Sequence, residues 1–200
     1  MSQLTIRPAN ENDLDFGFEM TVSAGGGLIE KAMGAGSREL AKKVFARLWS
    51  GKPNRFHFKN ACVAESEGRQ LGFLLSYNAG VKDQSSLPVG EMLSAGGLKL
   101  ISFYLFRPLM AMQSLALTEG KPGEWHIGAI ATVDEVRGRG IGSELLRHAF
   151  RLAEDAGLSK ASLLVSQNNE SAFRLYVRFG FTIERVIRKP REAYRMLAEW

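Results

Sequence analysis

Residues 125–142, WHIGAIATVDEVRGRGIG, pass from an apolar run through a short acidic turn into alternating glycines. They read as a strand, a turn and the opening of a helix. Residues 143–157 continue that helix, because Ile141, Leu145, Ala149, Leu152 and Ala156 recur every three or four positions and Gly157 stands where a C-cap belongs. One face of the helix is therefore apolar and buried.

Gly138, Gly140 and Gly142 keep side chains away from a helix N-terminus whose first N–H groups lack intrahelical partners, which suits a phosphate or diphosphate. Arg137 and Arg139 add positive charge, and the helix dipole adds about 0.3–1 kcal/mol per favourable charge. An anion fits this turn. A dinucleotide fingerprint is excluded, since Ser143 stands at the third glycine and Ser162 stands where the acidic partner, about twenty residues on, belongs. A Walker loop is excluded too, because no lysine follows the last glycine. What remains is an anion site of another kind or a strand-to-helix turn with no ligand.

A second pattern bears on that choice. Arg137, Gly140 and Gly142 form R-x-x-G-x-G, and Asn169, Ala172, Leu175, Tyr176, Gly180 and Phe181 form N-x-x-A-x-x-L-Y-x-x-x-G-F without gaps. The two motifs, in this order and separated by one helix and one strand, resemble the GNAT family of N-acetyltransferases over about the last 80 residues. The resemblance implies a single α/β domain over residues 1–200, with a mixed, mostly antiparallel sheet flanked by helices. It also implies acetyl-CoA as the acyl-donor cosubstrate, with its diphosphate on Arg137, Gly138, Arg139, Gly140, Ile141, Gly142 and Ser143. By the same resemblance Asn169 touches the pantetheine arm, with Asn168 the alternative if the register shifts by one. The resemblance further implies that a backbone N–H around Ile130, Ala131 and Thr132, where the family's strand splays, holds the oxyanion.

Acetyl transfer to an amine sets two proton problems. A lysine-like ammonium with pKa about 10.4 costs about 4.6 kcal/mol to neutralise at pH 7, at about 1.36 kcal/mol per unit, so attack needs a base. Alternation puts Glu124, His126, Gly128, Ile130 and Thr132 on one strand face. The spacing from Glu124 to Arg137 is similar to that in the histone-acetylating branch of the family, which makes Glu124 the first candidate base and His126 the second. A solvated strand end and a hydrogen-bonded core imidazole are their non-catalytic readings. The leaving thiolate needs a donor, and the resemblance assigns that to Tyr176, whose phenol is protonated at pH 7. The rival function is a non-catalytic acyl-CoA-binding regulatory module.

Composition narrows the classes. With 45% hydrophobic and 24% charged residues, 200 residues suit one globular domain. A single cysteine, Cys62, permits no internal disulfide and favours an intracellular, cytoplasmic location. His57, His126 and His148 lack ligand spacing, so no metal site is expected. The net charge of +5 is scattered, without the aromatic-interleaved basic patch of a nucleic-acid binder. The first ten residues contain no apolar signal segment.

Earlier in the chain, Leu4, Ile6 and Pro8 alternate as a first strand, with Asn12 or Asp13 capping the helix that follows. Gly25 to Gly27 interrupt helical order, and a second helix runs from Ser37 toward Gly51 through Leu40, Ala41, Val44, Phe45 and Leu48. By resemblance, residues 24–37 line or gate the acceptor site. Residues 61–65 and 70–77 form a hairpin through Glu67 and Gly68. Residues 81–123 are an enlarged connection whose stretch 98–117 is nearly all apolar. Lys99 and the Arg107–Pro108 pair argue against a membrane span. Amphipathic helices packed on the domain are expected there, with a homodimer contact or an apolar wall of the acceptor pocket as functional variants. Strand 161–167, helix 169–179 and a closing hairpin of 182–187 with 193–200 complete a β-α-β-α-β-β order. No internal repeat is evident. The acceptor amine stays open among protein N-termini, lysines, polyamines and small amines.

Overall fold

The computed structural model describes residues 4–107, 120–188 and 192–200. Strands β1 (Thr5–Pro8), β2 (Ala61–Ser66), β3 (Arg69–Asn78), β4 (Trp125–Thr132), β5 (Lys160–Ser166), β6 (Thr182–Ile187) and β7 (Ala193–Glu199) form one sheet in the order β1-β2-β3-β4-β5-β7-β6. Only β4 and β5 run parallel, and the other described pairs are antiparallel. The mixed sheet flanked by helices is the expected one.

Helices α1 (Leu14–Gly25), α2 (Gly27–Gly34), α3 (Arg38–Trp49), α4 (Lys82–Ser85) and α5 (Val89–Leu105) precede β4, while α6 (Ile141–Asp155) joins β4 to β5 and α7 (Glu170–Arg178) joins β5 to β6. Period-two alternation on β3 divides the core. Phe73 and Leu75 pack with Phe18, Phe45, Leu48 and Trp49 of α1 and α3, whereas Leu74 faces Leu145, Leu146 and Ala149 of α6. Gly72 lets α6 come close: a Cβ there would lie 2.9 Å from Ile141 Cγ2 and 3.0 Å from Leu145 Cδ1.

Asp13 stands at the N-cap of α1, one of the two expected positions, but its side chain makes no cap bond there. Asn10 instead caps the 3-10 turn Glu11–Asp13 that leads into α1, accepting the Asn12 N–H at 2.9 Å, while the Asp13 carboxylate accepts the Asn10 N–H at 2.7 Å. Asp13 is drawn aside by Arg7, at 2.8 and 2.9 Å, and by Gln70, at 2.6 Å. The Arg7 hydrogen bond chiefly holds its carboxyl below the usual range, against the opposing effect of burial.

Two helix breaks are near copies of each other. Gly26, between α1 and α2, has φ 58° and ψ −159°, and Gly97, inside α5, has φ 58° and ψ −158°. Each ends a Ser-Ala-Gly-Gly segment, 23–26 and 94–97, a short echo that a search for long repeats passes over. The hydroxyl of Tyr104 on α5 donates to the Ala32 carbonyl of α2 at 2.7 Å, tying the two broken helices together. Of the apolar stretch 98–117, α5 takes the first part, with Leu100 buried and Leu98 and Leu105 exposed; residues 108–119 lie outside the described residues. Among the described residues no helix is long and apolar enough to cross a membrane.

Candidate active site

Two irregularities of β4 create the site. It pairs with β5 only through Trp125–Ala161, His126–Ser162 and Ile127–Leu163, after which β5 stays beside β7 and β4 stays beside β3, so the strands part as a fork. On the β3 side Leu75 faces Ala129 and Ser76 faces Ile127, leaving Gly128 as a bulge. The extra residue reverses the alternation. Trp125, Ile127 and Ile130 pack on the α6 side, while Ala129 joins the α1–α3 side. The single face expected for Glu124, His126, Gly128, Ile130 and Thr132 therefore breaks at Gly128, and the parting begins after Ile127, earlier than Ile130.

Beyond β4 the chain turns through Asp134–Val136 into α6. Gly138 (φ 78°) and Gly140 (φ 87°) are left-handed, a conformation that costs an L-residue about 1–2 kcal/mol. The N–H groups of Gly138, Gly140, Ile141 and Gly142 have no backbone acceptor among the described residues, whereas those of Ser143 and Glu144 bond to the Gly140 carbonyl. Four donors thus converge at a helix N-terminus.

They open into a cleft of about 650 Å³. Ile130, Ala131 and Thr132 of β4 form one wall; Arg137, Gly138, Gly140, Ile141, Gly142 and Ser143 the floor; and Asn169 and Tyr176 belong to the α7 wall. Arg139 is not among the lining residues. Among the described residues no carboxylate lines the cleft, and two guanidiniums, Arg137 and Arg178, do. Arg137 is paired with Asp134 at 2.7 Å. Asn169 caps α7, accepting the Ala172 N–H at 3.1 Å. Tyr176 is held edge-on to Phe181, its hydroxyl has no hydrogen-bond partner among the described residues, and burial pushes its phenol up to about 12. It is protonated at neutral pH.

The two candidate bases lie elsewhere. Glu124, 5% exposed, is paired with the buried Arg195 and accepts the Lys121 N–H at 2.9 Å. His126, 1% exposed, meets Ser162 Oγ through Nδ1 at 3.0 Å and packs on Tyr77. Burial, with Arg55 and Arg195 nearby, lowers its imidazole to about 3, so it is neutral at pH 7. Neither residue is among those lining the cleft. Cys62 is buried, its thiol raised to about 11, in contact with His148 at 3.5 Å. Among the described residues no group of acidic, histidine or cysteine side chains is arranged to hold a metal ion.

The sequence profile of the acetyltransferase (GNAT) family matches residues 37–181. The chain belongs to this family. A mycothiol acetyltransferase of Acidimicrobium ferrooxidans is 35% identical over 97 residues, which are 48% of this chain and 29% of that protein. The match thus spans under a third of that relative's length. Among solved structures, an N-acetyltransferase from Staphylococcus aureus Mu50 superposes with a TM-score of 0.69 at 22% identity, over 97% of this chain and 100% of that one. The PaiA N-acetyltransferase from Thermoplasma acidophilum, in complex with coenzyme A, gives 0.56 at 14%, covering 99% of each chain. At these identities the two structures bear on the fold alone.

For this GNAT chain, several lining residues were invisible to motif reading. Ala24, the first residue of the stretch 24–37 that the resemblance places at the acceptor site, reaches the cleft together with Ser23 from the end of α1, more than a hundred positions away in sequence; residues 25–37 are not among those lining it, and no local signal marks Ser23. Ser171 and Arg178, by contrast, flank Leu175 at helical spacing, and Leu175 lies near Gly142, so the stripe on α7 could have named them.

Proposed function

We propose that this chain transfers the acetyl group of acetyl-CoA to a primary amine of a small molecule or protein. The observation that carries the reading is the opening of four unpaired amides and one free, protonated phenol into the same cleft, which no carboxylate of the described residues lines. The amides of Gly138, Gly140, Ile141 and Gly142, assisted by Arg137, hold the diphosphate. The unpaired edge of β4 at Ile130–Thr132 supplies N–H donors toward the thioester carbonyl, where charge develops during attack. Tyr176 donates to the departing sulfur, a contribution of about 10² to 10⁴ in rate.

Proton removal from the amine is assigned to neither Glu124 nor His126, the first committed to Arg195 and the second buried and weakly basic. The amine reacts from its neutral fraction. Turnover at pH 7 then tracks the acceptor's own pKa.

The same observation favours a second reading, an acyl-CoA-binding module that transfers nothing. Calorimetry with acetyl-CoA, combined with thiol release across a panel of amines, separates the two. Binding with amine-dependent release is expected, and binding without release from any amine would establish the module instead.

A further inference from the structure

We infer that Arg195 is a positioning residue for acetyl transfer, bracing the closed end of the β4–β5 fork through Glu124 and Glu184. This rests on the proposed activity. The Arg195 side chain is 1% exposed and donates through Nη2 to Glu124, just before β4, and through Nη1 to Glu184 on β6. Lys121 closes the set, with Nζ on Glu184 at 2.6 Å and its backbone N–H on the same Glu124 oxygen at 2.9 Å. The Nε of Arg195 has no partner among the described residues.

Burying ions costs several kcal/mol each, and apolar residues of similar volume usually stabilise a core as well or better. Stability is therefore a poor reason for this set. What it supplies is a fixed reach across β5. Since β4 and β5 share only three residue pairs, the angle at which they part is weakly determined by their own ladder. Arg195, beside Leu164 of β5, sets that angle by tying the start of β4 to β6 and β7.

On the opposite face of β7, Tyr194 packs on Phe173 of α7 with ring centroids 5.5 Å apart. That helix carries Tyr176. Adjacent residues of one strand thus locate both walls of the cleft, the forked strand and the phenol. Glu124 serves as the anchor of the brace rather than as a proton acceptor.

The test compares wild type, Glu124→Gln, Arg195→Met, the double variant and Arg195→Lys by kcat across pH, with acetyl-CoA affinity measured in parallel. Each single change is expected to lower kcat about tenfold or more, which is about 1.4 kcal/mol in the barrier, and to leave acetyl-CoA affinity near wild type. The double variant is expected to be no slower than the worse single, as for residues acting as a unit, and Arg195→Lys to recover part of the loss. The pH limb stays in place throughout. Loss or displacement of that limb in Glu124→Gln, with wild-type kcat in Arg195→Met, would overturn the brace and make Glu124 the base. Arg195→Met leaves the buried Glu124 carboxylate without its ion pair and can fail to fold; the double variant removes both of these charges, and wild-type kcat in a folded double also overturns the inference. If wild type releases no thiol with any amine, the proposed activity fails by itself. Amide exchange at residues 129–132 then decides the brace, faster exchange in the double supporting it and unchanged exchange refuting it.

Discussion

At the scale of single residues, burial decides what each polar group can do. Tyr176, pushed up to about 12, is a donor throughout the neutral range, so Tyr176→Phe removes only a proton source. We expect kcat to fall about 10²-fold or more with acetyl-CoA affinity little changed, and a variant with full turnover would show that the hydroxyl is not the donor. His126 carries the opposite consequence. Its folded-state value of about 3 lies below the ordinary 6.5, so between those limits the unfolded chain binds the extra proton and folding weakens as pH falls. At about 1.4 kcal/mol per unit the loss is of order 5 kcal/mol, complete near pH 3 and absent above about 6.5. Denaturant unfolding at pH 7 and pH 4.5 should show a smaller acid loss in His126→Asn than in wild type, and equal losses would count against a buried neutral imidazole.

At the scale of elements, glycine sets how closely strand and helix meet and how the anion turn is shaped. Gly72→Ala places a methyl 2.9 Å from Ile141 and 3.0 Å from Leu145, pressing α6 off β3. Overpacking of this kind costs about 1–3 kcal/mol, so a lower denaturation midpoint is expected; an unchanged one would mean that the helix yields freely. Gly140→Ala meets no atom within 4 Å, and its penalty is the left-handed backbone at φ 87°. Relief of that strain rotates the amides beside it, so acetyl-CoA affinity should drop about tenfold or more, in addition to a loss of stability of about 1–2 kcal/mol from the strain itself. Calorimetry beside thermal melts checks this pair of effects. The helix α6 and its turn were legible in sequence because their apolar spacing and glycines are consecutive. The bulge at Gly128 was not: alternation assumes an unbroken ladder, and only pairing with β3 showed that two residues of β4 advance against one of its partner.

At the scale of the whole molecule, the cleft is walled by α1, β4, α6 and α7, elements from both ends of the chain. A ligand seated there ties them together and stabilises the fold by mass action. At about a hundred times its dissociation constant acetyl-CoA should add about 2.7 kcal/mol, seen as a rise of about 5–10 °C in the melting temperature of a chain this size. No rise at millimolar acetyl-CoA would count against binding in this cleft.

The sequence by itself determined the family and the order of strands and helices around the glycine turn. Those properties are written in motifs and periodicities only a few residues long. Tertiary structure alone decided that Glu124 is held by Arg195, 71 positions away, that His126 is sealed from the cleft, and that Ser23 enters it. Charge pairing and burial depend on which distant strands lie side by side, and no local pattern of side chains carries that information.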